Sequence, residues 1–259
     1  MLCAAWGLLL TLGCGTAAAQ TRLKVGVSGG DGELIWAKVK EIAKQKGLDI
    51  QVIVFNDYLL PNAALDGGDL DANAFQHKPF LDNQVGVRGY KISAIAGTIV
   101  EPMGLYSLKA KSVAALADGA QLGIPNDPSN GGRALLLLQQ QNLIKLREGT
   151  GITPSVRDIL VNSHKFKFRE LDAAQLPRSL SDLDAAVINT NYALQAHLRP
   201  GKDSIAIESS RDNPYGNVIA VRTADKDKPV FKVLIAAYQN DEIRQFILKQ
   251  FDGAILPVF

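Results

Sequence analysis

The chain holds three imidazoles, His77, His164 and His197, and none stands in a spacing that makes a reactive constellation. It contains no His-Glu-x-x-His, no Gly-x-Ser-x-Gly and no Walker loop, and the glycines of "GVSGGDGE" (26–33) do not fit Gly-x-Gly-x-x-Gly. Both cysteines, Cys3 and Cys14, fall in the first nineteen residues, so the remainder has no thiol for a disulfide, a nucleophile or a thiolate metal site. What the other side chains can do is recognise. "NAFQHKPFL" (73–81) sets Phe75, His77 and Phe80 beside Asn73, rings to enclose an apolar group with a few polar atoms to orient it. Pro79 argues against a helix there, so the stretch is read as an irregular pocket wall.

Two further patterns supply polar ends. "IPNDPSNGGRALLLL" (124–138) reads as a helix start, with Asp127 or Ser129 as N-cap, Pro128 near the first turn and Arg133 within it. Such an end favours an anion, and an Arg can hold a carboxylate through two parallel hydrogen bonds. "AAVINTNYA" (185–193) and "NPYGNVIAVR" (213–222) each place an Asn, Asn189 and Asn217, at the edge of an apolar run, where a carboxamide oxygen can accept from an ammonium. Each pattern also has a purely structural explanation: core packing for the rings, ordinary capping for the helix, turn formation for the asparagines.

The elements that must position these groups alternate. "RLKVGVS" (22–28), "ELIWAKVKEIAKQKG" (33–47) and "LDIQVIVF" (48–55) read as strand, helix with Gly47 as its stop, and strand, a right-handed unit that implies a parallel sheet. The rhythm returns in "AQLGIPN" (120–126), "GGRALLLLQQQNLI" (131–144) and "FKFRELD" (166–172). Val25-Gly26-Val27 is echoed by Leu122-Gly123-Ile124, and Asp69-Leu70-Asp71-Ala72 by Asp182-Leu183-Asp184-Ala185, at unequal offsets that require an insertion. Two α/β lobes of one plan follow, with ligands expected beyond the carboxyl ends of the strands.

With 259 residues, 47% hydrophobic and 21% charged, the chain can form one large or two ordinary domains, and its net charge of +2 gives no basic face for nucleic acid. Residues 1–19 carry no charge, and their apolar centre is shorter than the about 20 residues a spanning helix needs. They read as a signal peptide ending in Ala17-Ala18-Ala19, cut before Gln20; lipidation at Cys14, after Leu12-Gly13, is the other fate, although Thr11 stands where a lipoprotein signal has Leu. The expected location is the periplasm, with a membrane anchor if Cys14 is lipidated.

"FNDYLLPN", "DLDANAFQHKPFL", "EPMGLYS", "IPNDPSN", "RALLLLQ", "QLPRSL", "AVINTNYA" and "PYGNVIAVR", in that order from about Leu23 to the C-terminus, resemble the NlpA/MetQ family, the methionine-binding proteins of bacterial ABC importers. The resemblance implies a bilobed α/β periplasmic binding protein, type II-like, with two crossover strands near Glu101–Leu105 and Tyr215–Val218. The lobes would then be 20–102 plus 216–259, and 103–215. It implies a methionine pocket in which Tyr58, Phe75, His77 and Phe80 surround the side chain, Arg133 takes the carboxylate, and Asn189 and Asn217 hold the head group. The partners implied are methionine, an ABC permease and its ATPase subunit; no cofactor, metal or catalysis is implied, and a monomer is expected. The family often has Tyr where Phe80 stands, and "GVSGGDGEL" departs from its usual first loop, which abuts the cleft. The alternatives are another small apolar amino acid or a methionine-containing dipeptide as ligand, or a secreted hydrolase with a dispersed site.

Overall fold

The computed structural model describes residues 21–259; the leader, with Ala17–Ala19 and Cys14, lies outside the described residues. The chain opens with β1 (Thr21–Ser28), α1 (Asp31–Gln45) and β2 (Leu48–Phe55), and β1 and β2 pair in parallel along their whole length. Helix α1 buries Ile35, Trp36, Val39 and Ile42, as the spacing of its apolar residues requires, and ends before Gly47 in the left-handed region at φ 78°. Next come α2 (Leu60–Asp66), β3 (Ala72–His77), α3 (Lys78–Arg88), β4 (Ile92–Val100) and β5 (Gly104–Tyr106). The middle of the chain forms β6 (Gln121–Pro125), α4 (Pro128–Gln140), β7 (Lys145–Leu146), β8 (Ile159–Val161), β9 (Lys167–Leu171), α5 (Leu176–Ser179) and β10 (Ala185–Ile188). It closes with α6 (Thr190–Gln195), α7 (Pro200–Asp203), β11 (Ser204–Ile207), β12 (Gly216–Arg222), α8 (Pro229–Tyr238), α9 (Asp241–Phe251) and β13 (Leu256–Pro257).

Two large sheets result, ordered β2-β1-β3-β12-β4-β13 and β9-β6-β10-β5-β11. In each, three parallel strands are followed by one antiparallel strand that has arrived from the other sheet, β12 in the first and β5 in the second. This is the type II-like plan, carried out twice. The chain passes between the sheets after β4 and again between β11 and β12. Helices α1, α8 and α9 cover one face of the first sheet around Val25, Trp36, Leu234 and Ile247, while Leu65, Leu81 and Ile92 seal the other. Helix α4 and the segment around α5 do the same for the second sheet.

The echoes in the sequence are structural equivalents. Val25 pairs with Ala72 as Leu122 pairs with Ala185. Asp71 accepts from the Lys24 N–H and Asp184 from the Gln121 N–H, both at 2.8 Å. A Cβ on Gly26 would lie 2.6 Å from Leu70 Cδ1, and one on Gly123 would lie 2.6 Å from Leu183 Cδ1. In both halves the Leu of Asp-Leu-Asp-Ala packs over the first strand where only Gly leaves room. The unequal offset is the β7–β8 hairpin, which the first half lacks.

One expectation fails here. "NAFQHKPFL" is not irregular: Phe75 and His77 end strand β3, and α3 begins at once, with Pro79 in its first turn. Pro is excluded from helix interiors, where its missing N–H and its ring break the ladder, but its fixed φ suits a first turn. His77 is the N-cap, its Nδ1 accepting the Phe80 N–H at 3.1 Å.

Candidate binding site

All seven residues singled out in the sequence line one cavity of about 340 Å³ between the two sheets: Tyr58, Phe75, His77, Phe80, Arg133, Asn189 and Asn217. The first four come from the side of the first sheet, at the carboxyl end of β3 and the turns next to it; Arg133 and Asn189 come from α4 and the end of β10, and Asn217 from the returning strand β12. The lining also includes Gln76, Glu101, Asn130, Thr190 and Asn191. Tyr58, Phe75 and Phe80 form a triangle with ring centroids 5.9–6.0 Å apart, tilted or edge to face.

The cleft is closed by hydrogen bonds from one sheet's elements to the other's. The Tyr58 hydroxyl donates to Asn191 Oδ1 at 2.6 Å, and Gln195 Nε2 to the Gly29 carbonyl at 2.9 Å. Because His77 Nδ1 accepts from Phe80, its proton is on Nε2, which donates to Asn130 Oδ1 at 3.1 Å. Asn189 Nδ2 donates to the same oxygen at 2.8 Å, leaving Asn189 Oδ1 without a donor among the described residues. Burial first, then the Arg133 charge, bring the His77 pKa down to about 3, so the ring is neutral.

Arg133 differs from its expected place and state. Helix α4 starts at Pro128, capped by Asp127, so Arg133 stands on its second turn. The guanidinium is 3% exposed and already paired with Glu208, 9% exposed: Nε reaches Oε1 at 2.9 Å and Nη2 reaches Oε2 at 2.6 Å. Nη2 also donates to the Glu101 carbonyl at 2.7 Å, and the group lies 4.3 Å over the Tyr215 ring. Nη1 is the terminal nitrogen that no described residue engages, and it is what the cavity can offer a carboxylate.

Glu101, the first residue after β4, is the acid that sequence reasoning passed over. Asn217 Nδ2 donates to its Oε2 at 2.8 Å. Burial lifts its pKa to about 7 against the pull of Arg133, Asn217 and Asp31. Asp31, at the start of α1, is pushed well above the carboxylate range, by burial and then by the Glu101 charge. The two share a second cavity of about 280 Å³, which meets the first at Phe75, Glu101 and Asn217. A signal for Glu101 did exist: it is a carboxylate closing the apolar run "ISAIAGTIV". Among the described residues no group of three or more His, Cys, Asp or Glu is arranged to hold a metal, and no helix is long and apolar enough to cross a membrane.

Two α/β units of one plan, joined by two crossings and closing on a cavity of paired charge, carboxamides and rings, define a periplasmic substrate-binding protein of the bilobed class. The chain matches the NlpA lipoprotein family over residues 23–259 and belongs to it. It is 47% identical to the D-methionine-binding lipoprotein MetQ of Escherichia coli K12, over 95% of this chain and 92% of that one. It superposes with a TM-score of 0.89 on a nutrient-binding protein from Burkholderia cenocepacia solved bound to methionine, at 56% identity over 92% of this chain and 100% of that one. The crystal structure of the methionine-binding protein MetQ matches with a TM-score of 0.89 at 47% identity, covering 92% of this chain and 98% of that one.

Proposed function

We propose that the protein binds methionine in this cavity and delivers it to a membrane permease driven by an ATPase subunit, without itself doing chemistry. The lobes that close on the ligand are residues 20–102 with 216–259, and 103–215. The carboxylate is received by Arg133 Nη1. The ammonium sits among Asn189 Oδ1, the Asn217 carboxamide and the Glu101 carboxyl. The thioether chain runs into the triangle of Tyr58, Phe75 and Phe80, where sulfur–aromatic contact is worth about 0.3–1.5 kcal/mol. The absent hydroxyl at Phe80 leaves that end of the pocket apolar, which suits a thioether. Because the ligand touches groups from both lobes, it favours the closed state over the open one, which closure by a ligand requires.

The observation that carries this reading is the meeting, in one cavity, of a buried guanidinium with one nitrogen to spare, unpaired carboxamide oxygen, and three rings. The names of the relatives support the same ligand. Reading the leader as an export signal, cut before Gln20 or else before a lipidated Cys14, agrees with relatives named as lipoproteins. Thermal unfolding of ligand-stripped protein tests the proposal. L-methionine at 100 times its dissociation constant stabilises by about 2.7 kcal/mol. A melting temperature unmoved by millimolar methionine but raised by another amino acid refutes the substrate.

A further inference from the structure

Behind the ligand cavity, and meeting it at Glu101, lies a pair of acids. Asp31 and Glu101 line the same small cavity, where burial and the Glu101 charge hold the Asp31 carboxyl well above the carboxylate range. Asp31 is buried; Glu101 keeps part of its surface open, but its Oε1, like Asp31 Oδ1, is covered and finds no donor among the described residues. The pair stands at the first crossing between the sheets, where the Glu101 carbonyl takes Arg133 and its carboxyl takes Asn217.

We propose that Asp31 keeps its proton and donates it to Glu101, and that a ligand ammonium seated against Glu101 expels the further proton that the ligand-free protein holds there, so that binding releases a proton. The proposal rests on the ammonium facing Glu101. The other groups around the pair do not supply the response. From α4, Arg133 is matched by Glu208. From β3, His77 is neutral down to about pH 3. Tyr58 before α2 and Tyr238 on α8 are pushed up by burial, with the charges of Asp31 and Glu101 adding to it, and stay neutral. Asn217 on β12 does not titrate. Asp31 therefore acts as a positioning residue: without it the Glu101 carboxylate loses a donor in a largely buried site.

The test is calorimetric titration of ligand-stripped protein with L-methionine, at each pH in two buffers of different ionisation enthalpy. With Glu101 titrating at about 7 in the ligand-free protein, close to one proton per ligand is released at pH 6 and about a tenth at pH 8, and affinity falls roughly tenfold from pH 8 to pH 6. Asp31→Ala moves the midpoint of the affinity profile to higher pH, and Asp31→Asn, which restores the donor, returns it. Binding with equal heats in both buffers at pH 6 overturns this proposal and leaves the methionine reading standing. No binding heat in any buffer refutes the methionine reading, and this one with it. The wild-type buffer comparison decides the matter even if neither variant folds.

Discussion

Sequence alone casts Arg133 as a free cation whose removal costs binding and nothing else. The structure makes it half of a buried ion pair, and the two views part on Arg133→Met. The variant leaves Glu208, 9% exposed, inside the protein without its cation. Breaking a buried pair from one side costs about 3–5 kcal/mol, because the remaining charge has lost both water and partner. Glu208 keeps the Met103 N–H at 2.8 Å and a long contact to Asn213, which places the loss at the lower end. For a chain of this size each kcal/mol is worth about 2–4 °C, so the melting temperature should fall by roughly 6–12 °C. Glu208→Gln strands the guanidinium instead and should cost a similar amount. The double variant Arg133→Met with Glu208→Gln removes both charges and keeps an acceptor for Met103. It should lie within about 1–2 kcal/mol of the wild type, far from the sum of the single losses. Urea and thermal unfolding of the four proteins measure the cycle, and a methionine titration of the double variant, folded but lacking Nη1, should show no binding. Single losses that simply add, or an Arg133→Met protein as stable as the wild type, would refute this account of the pair.

Three further outcomes follow from the same geometry. Gly123→Ala should destabilise by about 1–3 kcal/mol, since its Cβ would meet Leu183 at 2.6 Å, Leu176 at 2.9 Å and Ala186 at 3.2 Å; Gly86→Ala, with nothing within 4 Å on the exposed side of α3, should stabilise by about 0.5–1 kcal/mol. Asn62→Ala should cost about 1–3 kcal/mol in urea unfolding, because buried Gln76 Nε2 and Asn73 Nδ2 each lose one of two acceptors, at 2.7 and 2.9 Å, and Gln76 Oε1 loses the Asn62 Nδ2 donor at 2.7 Å. The Glu101 pKa is raised from 4.5 to about 7 in the ligand-free fold, so its contribution to stability is full below about pH 4.5 and lost as pH rises through about 7. Ligand-free protein should lose stability across that window by this group, while the increment in melting temperature from methionine grows; Glu101→Gln should flatten both trends.

What could be read in the sequence was whatever repeats locally. The apolar spacing of α1, the stop at Gly47 and the doubled Asp-Leu-Asp-Ala each depend on neighbours a few residues away, and each appears as expected. Phe75, His77, Asn189 and Asn217 stand out for a different reason: they sit at or next to strand ends, where a polar or aromatic residue interrupts an apolar run, whereas Tyr58 was expected only from the family resemblance. The partners were not legible. Arg133 meets Glu208 across 75 positions, and nothing near either residue records the other. Asp31 meets Glu101 only because β1 and β4 lie in one sheet with the returning strand β12 between β3 and β4, a consequence of topology. Pro79 was misjudged by one turn: the same ring that breaks a helix interior starts α3.

The central claim is that the zwitterion lies between Arg133 and the carboxamides with its tail among the rings, and a crystal structure of the protein soaked with L-methionine tests it most directly. The account predicts the carboxylate within hydrogen-bond distance of Arg133 Nη1, the ammonium beside Glu101 and Asn189 Oδ1, and the sulfur enclosed by Tyr58, Phe75 and Phe80. Methionine bound in the reverse sense, its ammonium toward Arg133, or bound outside this cavity, would contradict it.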